Sequence, residues 1–248
     1  MAKRRPRLDL SRSLNQMLGY ADTIDETTGL TLRYTRAMST PAGSLDVGQI
    51  ELLFGQGPSD DLCSLLVPIA VERLASNFFG WYADLLLVDV ARRRSVLAEQ
   101  PEVRRRAVEI VVANADALAS YDGIQREQAL DAALTLVEHD PAALAVLADA
   151  YARAGDRENT DQVQRRRLDA APTAEARVAV LVDIARQLEP WNPVDSAYAW
   201  LDVLDAAPGH ELASAEAERL FTLYEDWGMV ARVLERRADL RSLDQAEG

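Results

Sequence analysis

Histidine and cysteine are almost missing from this 248-residue chain, which has two of the first and one of the second. A single cysteine excludes an intrachain disulfide and any multi-cysteine metal site. Cys63 lies in the apolar stretch from Leu62 to Leu66 and is expected as a buried, inert thiol. His139 and His210 stand in turns between helices, and neither completes a closed set of ligands at metal spacing. No Gly-x-Ser-x-Gly, Gly-x4-Gly-Lys or dinucleotide fingerprint is present, and Gly55-Gln56-Gly57-Pro58 lacks a lysine to help it hold phosphate. The expectation is a non-enzyme with no metal and no cofactor. Long apolar runs are also lacking, and none approaches the roughly 20 residues of a membrane span. The basic start runs into Leu8-Asp9-Leu10-Ser11, which charge interrupts where a secretory signal would stay apolar. A cytoplasmic protein with no membrane partner is expected.

What the chain has is helix-forming material. Hydrophobic residues make up 48% of it, and Ala, Leu, Arg, Glu and Asp dominate; most of these lose little freedom in a helix. This composition predicts an all-α fold. Forty carboxylates against 27 lysines and arginines give a net charge of −13. The sign is uneven: residues 1–12 carry Lys3, Arg4, Arg5, Arg7 and Arg12 against Asp9, a net of +4, which leaves −17 for the rest. A body that acidic repels phosphate backbones, so no nucleic-acid partner is expected, while a basic protein would be drawn to it. The clusters Arg92–Arg94, Arg104–Arg106 and Arg165–Arg167 fit ion pairing along helices better than a nucleic-acid site.

Three parts are expected along the chain: a basic flexible tail over 1–11, a compact helical domain over 12–100, and helical repeats over 101–242. In the second part, short helices are predicted near Ser13–Leu18 and Leu30–Met38. Ser44 or Asp46 offers an N-cap before Val47–Phe54, whose Val47, Ile50, Leu53 and Phe54 share one face. A longer apolar helix runs from about Asp60 to Leu74, with a kink or restart expected at Pro68. Phe78, Phe79, Trp81 and Tyr82 then look like core aromatics.

From Pro101 alanine becomes frequent, and Pro141, Pro172 and Pro208 each follow the end of a helix. Their spacings of 31 and 36 residues bracket the roughly 34-residue period of tetratricopeptide repeats. The spacing Leu147-x3-Tyr151-x3-Gly155 recurs 73 residues later as Leu220-x3-Tyr224-x3-Gly228, with a looser copy between that contains the turn Glu189-Pro190-Trp191-Asn192-Pro193. Glu127–Val137 suggests a partial repeat before them.

Leu45–Phe54 with Gly55-Gln56, Leu66–Leu74 and Tyr82–Leu86, together with Ser13-Leu14, Leu18 and the exit Glu99-Gln100-Pro101-Glu102, resemble the small helical immunity proteins of bacterial contact-dependent growth inhibition systems. The resemblance covers about residues 12–112. Departures are Glu51-Leu52 where the family usually has an arginine after leucine, Ala83 where it has glycine before Asp-Leu-Leu, and the Phe79-Gly80-Trp81 region. The resemblance implies a protein that binds one toxin domain, often a basic nuclease, and blocks it; the alternative is a tetratricopeptide-repeat scaffold or adaptor.

In tetratricopeptide-like stacking the first helix of each hairpin lines the concave face. That places Asp149 and Arg153, then Asp183 and Arg186, then Glu218, Thr222 and Glu225 as candidate partner-binding residues. Asp60, Asp61 and Asp84 are the corresponding candidates in the immunity-like part.

Overall fold

A computed structural model describes residues 7–76, 78 and 83–247, with the side chains of all of these except 83 and 240–247. Among the described residues the chain is all-helical, with fifteen α-helices, a 3-10 turn over Ala42–Ser44, and no strand beyond the isolated bridge between Ser13 and Pro41. The core aromatics expected at Phe79, Trp81 and Tyr82 lie outside the described residues; Phe78 is buried. The chain divides into two compact units: unit 1 comprises 1–138 with 149–156, and unit 2 comprises 139–148 with 157–248.

Unit 1 begins with α1 (Leu14–Leu18), α2 (Gly29–Ser39) and α3 (Val47–Gly55). Ser13 and Asp46 open α1 and α3 with reciprocal capping boxes, in which Gln16 and Gln49 return a side-chain acceptor to the cap's own N–H. Of the segment expected as a tail, residues 1–6 lie outside the described residues. The Leu10 and Arg12 carbonyls, however, accept from the N–H groups of Gly43 and Ala42, both at 2.9 Å. A Cβ at Gly43 would sit 3.0 Å from the Leu10 oxygen, so a larger residue would have to push this segment outward by a few tenths of an ångström.

The centre of unit 1 is α4 (Asp60–Ser76), buried on nearly every side from Leu62 to Leu74. The helix runs on through Pro68 and does not restart there. Proline cannot donate to the Ser64 carbonyl four residues back; Gln100 fills that vacancy, its Nε2 donating to Ser64 O at 3.0 Å. Arg73 likewise spans outward, donating to the Leu45 and Gly43 carbonyls at 2.8 and 2.6 Å. Around α4 pack α5 (Ala83–Arg92), α6 (Arg94–Glu99) and α7 (Pro101–Ala113); after the short α8 (Ala115–Ala119), α9 (Gly123–Val137) packs on α5. Compact unit 1 therefore continues past residue 100, because α7 and α9 bury their apolar faces on α4, α5 and α6.

The rest of the chain forms α10 (Pro141–Arg153), α11 (Arg157–Ala170), α12 (Ala174–Leu188), α13 (Pro193–Ala206), α14 (Glu211–Leu223) and α15 (Trp227–Glu247). The division between units runs through α10. In unit 2, α11, α12, α13, α14 and α15 pack each on the next. Trp200, Val203, Ala217, Leu220, Phe221 and Val233 form the buried centre. The recurrence is real but differs from the one expected. Asp140 and His210 cap Ala143 and Ala213, Tyr151 and Phe221 are buried, and the Asp156 and Asp226 N–H groups donate to the Tyr151 and Phe221 carbonyls. Corresponding residues are thus 70 apart, not 73. Tyr224 is exposed and Gly228 lies inside α15, so neither is the counterpart of Tyr151 or Gly155. Hairpin geometry, set by caps and burial, overrides a coincidence of Leu, Tyr and Gly spacing.

Candidate functional site

Two of the residues expected to face a partner, Asp183 and Glu218, form ion pairs within unit 2. Asp183 on α12 accepts from Arg167 of α11 at 2.8 Å, and Arg167 is itself almost fully buried. Arg167 also donates to Gln164 Oε1 at 2.9 Å, and Gln164 donates to Gln187 Oε1 at 2.5 Å. A buried guanidinium without its counter-ion is costly, so Asp183 is committed to the α11–α12 packing. Glu218 of α14 similarly meets Arg237 of α15 at 2.8 Å, while Arg237 also donates to Ser214 Oγ. Arg186 and Thr222 are exposed on α12 and α14, and their side chains make no polar contact among the described residues. Glu225 was expected on the first helix of its hairpin; it lies instead in the turn after α14, exposed, at φ 57°. The equivalent position in the earlier hairpin is Gly155 at φ 72°.

In unit 1, Asp149 and Arg153 are exposed on α10, and Arg153 donates to Asp116 at 2.6 Å. Asp60 and Asp61 occupy the first turn of α4, where a negative charge complements the helix dipole. Asp84 has the same place on α5 and belongs to a cluster that the sequence reading did not assemble. Glu51 of α3 is half-buried, and its Oε1 is sheltered from solvent with no hydrogen-bond partner. Burial, then the charges of Asp89 and Asp84, push its carboxyl up to about 7. Burial also raises Asp89, against the opposing pull of Arg93 and Arg92. The Tyr121 hydroxyl donates to the Phe78 carbonyl at 3.2 Å and is raised by burial and by Asp84. A signal for Glu51 existed in the sequence: it stands four residues after Val47 and three before Phe54, on the edge of the buried stripe. At neutral pH this carboxyl holds a proton part of the time.

A cavity of about 320 Å³ between α14 and α15 is lined by His210, Ser214, Arg236 and Arg237 among others. Its arginines are already engaged, Arg236 with Asp205 at 2.5 Å and Arg237 with Ser214 and Glu218. His210 uses Nδ1 to accept from Ala213 N–H as the cap of α14. Among the described residues no three His, Cys, Asp or Glu side chains group so as to hold a metal ion, and no helix is long and apolar enough to cross a membrane. No family model, curated protein or solved structure matches the chain.

Proposed function

We propose that this chain works by binding another protein, as an immunity-type inhibitor that neutralises a basic toxin domain by direct contact. The observation that carries this reading is the placement of charge. Within unit 2, residues 189–227 contain nine carboxylates and a single arginine, Arg219, and Asp195, Asp205 and Glu218 among them are paired with Arg157, Arg236 and Arg237 from outside the stretch, which leaves carboxylates in excess. A domain that grips phosphate backbones is basic, and a carboxylate-rich surface attracts it over distance and speeds encounter. In this reading the hairpins α12–α13 and α14–α15 stack in the tetratricopeptide manner, and Arg186, Thr222 and Glu225 remain available to a partner. A second reading, a repeat scaffold or adaptor, is favoured by the consecutive packing of α11 to α15, which resembles a peptide-binding solenoid more than a minimal inhibitor domain.

Co-expression with the product of the gene directly upstream of its own tests the proposal. The expected result is that the neighbour alone stops growth, that this chain restores it, and that the purified pair associates more slowly as salt rises. A neighbour that is harmless, or toxic but unbound, overturns the inhibitor reading and leaves the adaptor.

A further inference from the structure

Single exposed apolar side chains are ordinary on a protein surface, but a group of exposed aromatics in one place is not. Unit 2 has such a group at one corner. Leu223, Tyr224 and Trp227, at the junction of α14 and α15, are 63%, 46% and 61% exposed, and Tyr198 on α13 is 49% exposed. The Tyr198 ring meets the buried Phe221 ring edge-on at 5.4 Å. The Phe221 carbonyl accepts from Asp226 N–H at 2.9 Å, which folds the 223–227 turn back beside it. Tyr198 thus lies beside the last turn of α14, and Leu223, Tyr224 and Trp227 follow Phe221 within six residues, so all four stand around the end of α14.

This corner lies within the most acidic stretch of the chain, residues 189–227. Glu225 is in the turn itself, and its carboxylate makes no polar contact among the described residues. Asp195, one turn from Tyr198, accepts from Arg157, and Asp226 caps α15 by accepting from Met229 N–H. Exposed rings framed by carboxylates suit one kind of guest above others: lysine and arginine side chains, whose cationic heads bind ring faces and carboxylates and whose stems cover apolar surface. A second copy of this chain would set Glu225 and its neighbouring carboxylates against themselves, and anionic lipid or nucleic acid would meet the same repulsion. Tyrosine and tryptophan are also the side chains that most often dominate binding energy at an interface.

We infer that this corner, with Tyr198, Tyr224, Glu225 and Trp227 as its contacts, is where unit 2 docks a lysine- and arginine-rich segment of its protein partner. The inference rests on the reading of the chain as a binder of a basic protein. It moves the principal contact from the first-helix face to the tip of the last hairpin.

The test uses the full chain and two synthetic probes, a peptide alternating Lys with Leu and one alternating Glu with Leu, followed by fluorescence anisotropy at low salt. The Lys-Leu peptide is expected to bind and the Glu-Leu peptide not. Y224S/W227S and the single charge reversal Glu225→Lys should each weaken Lys-Leu binding by about tenfold or more, as hot-spot truncations do. Helicity, checked by circular dichroism, should be unchanged in both. The D60S/D61S/D149S variant should bind within about twofold of wild type, as expected where rim charges alone change. Equal binding of both peptides overturns the inference, because the corner is then merely sticky. Unchanged Lys-Leu binding by both corner variants also overturns it but leaves the basic-partner reading standing. Binding of neither peptide overturns both. A homodimer in sedimentation that Y224S/W227S disperses would assign the corner to a second copy and overturn the inference as well.

Discussion

The two units solve the same problem, burying helix faces, by different means. Unit 1 is organised around one element: α4 is buried on nearly every side, and its neighbours are fitted to it one by one. The defects this creates are repaired singly, as when Gln100 satisfies the carbonyl that Pro68 leaves open. Unit 2 has no central helix. Each helix packs on the next, and charged side chains fasten neighbours and next-but-one neighbours: Arg167 to Asp183 and Arg237 to Glu218 join successive helices, while Arg219 reaches Glu189 at the end of α12 and Arg236 reaches Asp205 on α13. A central helix demands apolar continuity and leaves little surface for charge. Serial packing leaves solvated edges, where the carboxylates of residues 189–227 either pair with arginines of neighbouring helices or, like Glu225, face solvent.

The largest effect expected from breaking this contrast comes from cutting at the boundary that composition suggests. A fragment beginning at Pro101 strips α7 and α9 of α4, α5 and α6, baring Ala107, Ile110, Val111 and the apolar side of α9. Hydrogen exchange should show residues 101–138 unprotected in that fragment, while the core of α12 to α15 stays protected. Protection across 101–138 would show that these helices need nothing from the first hundred residues.

Next in size is the Arg167–Asp183 pair. Asp183→Ala should lower stability by about 2 kcal/mol, since it leaves an almost buried guanidinium short of its acceptor. Asp149→Ala, at an exposed position expected from sequence to be equivalent, should change it by less than about 0.5 kcal/mol. Urea denaturation of both variants measures the difference, and equal midpoints would remove the distinction between an acid paired with a buried arginine and an exposed one.

Glu51 gives unit 1 a pH dependence of its own. Its carboxyl is raised from 4.5 to about 7 in the fold, so the native state keeps a proton that the unfolded chain releases. Its contribution is fully present below about 4.5 and is lost as pH rises through 7. Glu51→Gln should therefore match wild type near pH 5 and exceed it at pH 8. With the group only half-buried, the gain is on the order of 1 kcal/mol once solvent screening is allowed for. Melting curves at the two pH values check this; a variant no more stable at pH 8 would mean the carboxyl is solvated.

The smallest expected effect separates the two hairpin turns. Glu225 takes a left-handed backbone conformation that Gly155 takes in the earlier hairpin. Glu225→Gly should stabilise by somewhat less than about 1 kcal/mol, because only glycine enters that region freely. A loss of stability in thermal unfolding would mean that the Glu225 side chain supports the turn.

Much of the local structure was legible in the sequence. Ser13, Asp46 and the proline-bounded turns mark helix ends through short-range chemistry, which a linear reading can follow. The expected turn around Trp191 falls between α12 and α13, where Asn192 caps α13. The candidate site was less legible. Asp183 and Glu218 stand at exposed-looking helix positions, yet arginines 16 and 19 residues away claim them. Glu225 was read as helical because a Leu-Tyr-Gly spacing pointed to the wrong register.

What the sequence by itself determined is the helical class, the places where helices begin and stop, and the acidic character of residues 189–227, since propensity, capping and charge act between neighbours in the chain. Tertiary structure alone decided which acids are spent on holding helices together, where compact unit 1 ends, and that Tyr198 of α13 comes beside the end of α14. Those outcomes depend on side chains brought together from different helices, and no local pattern records which arginine will reach which carboxylate.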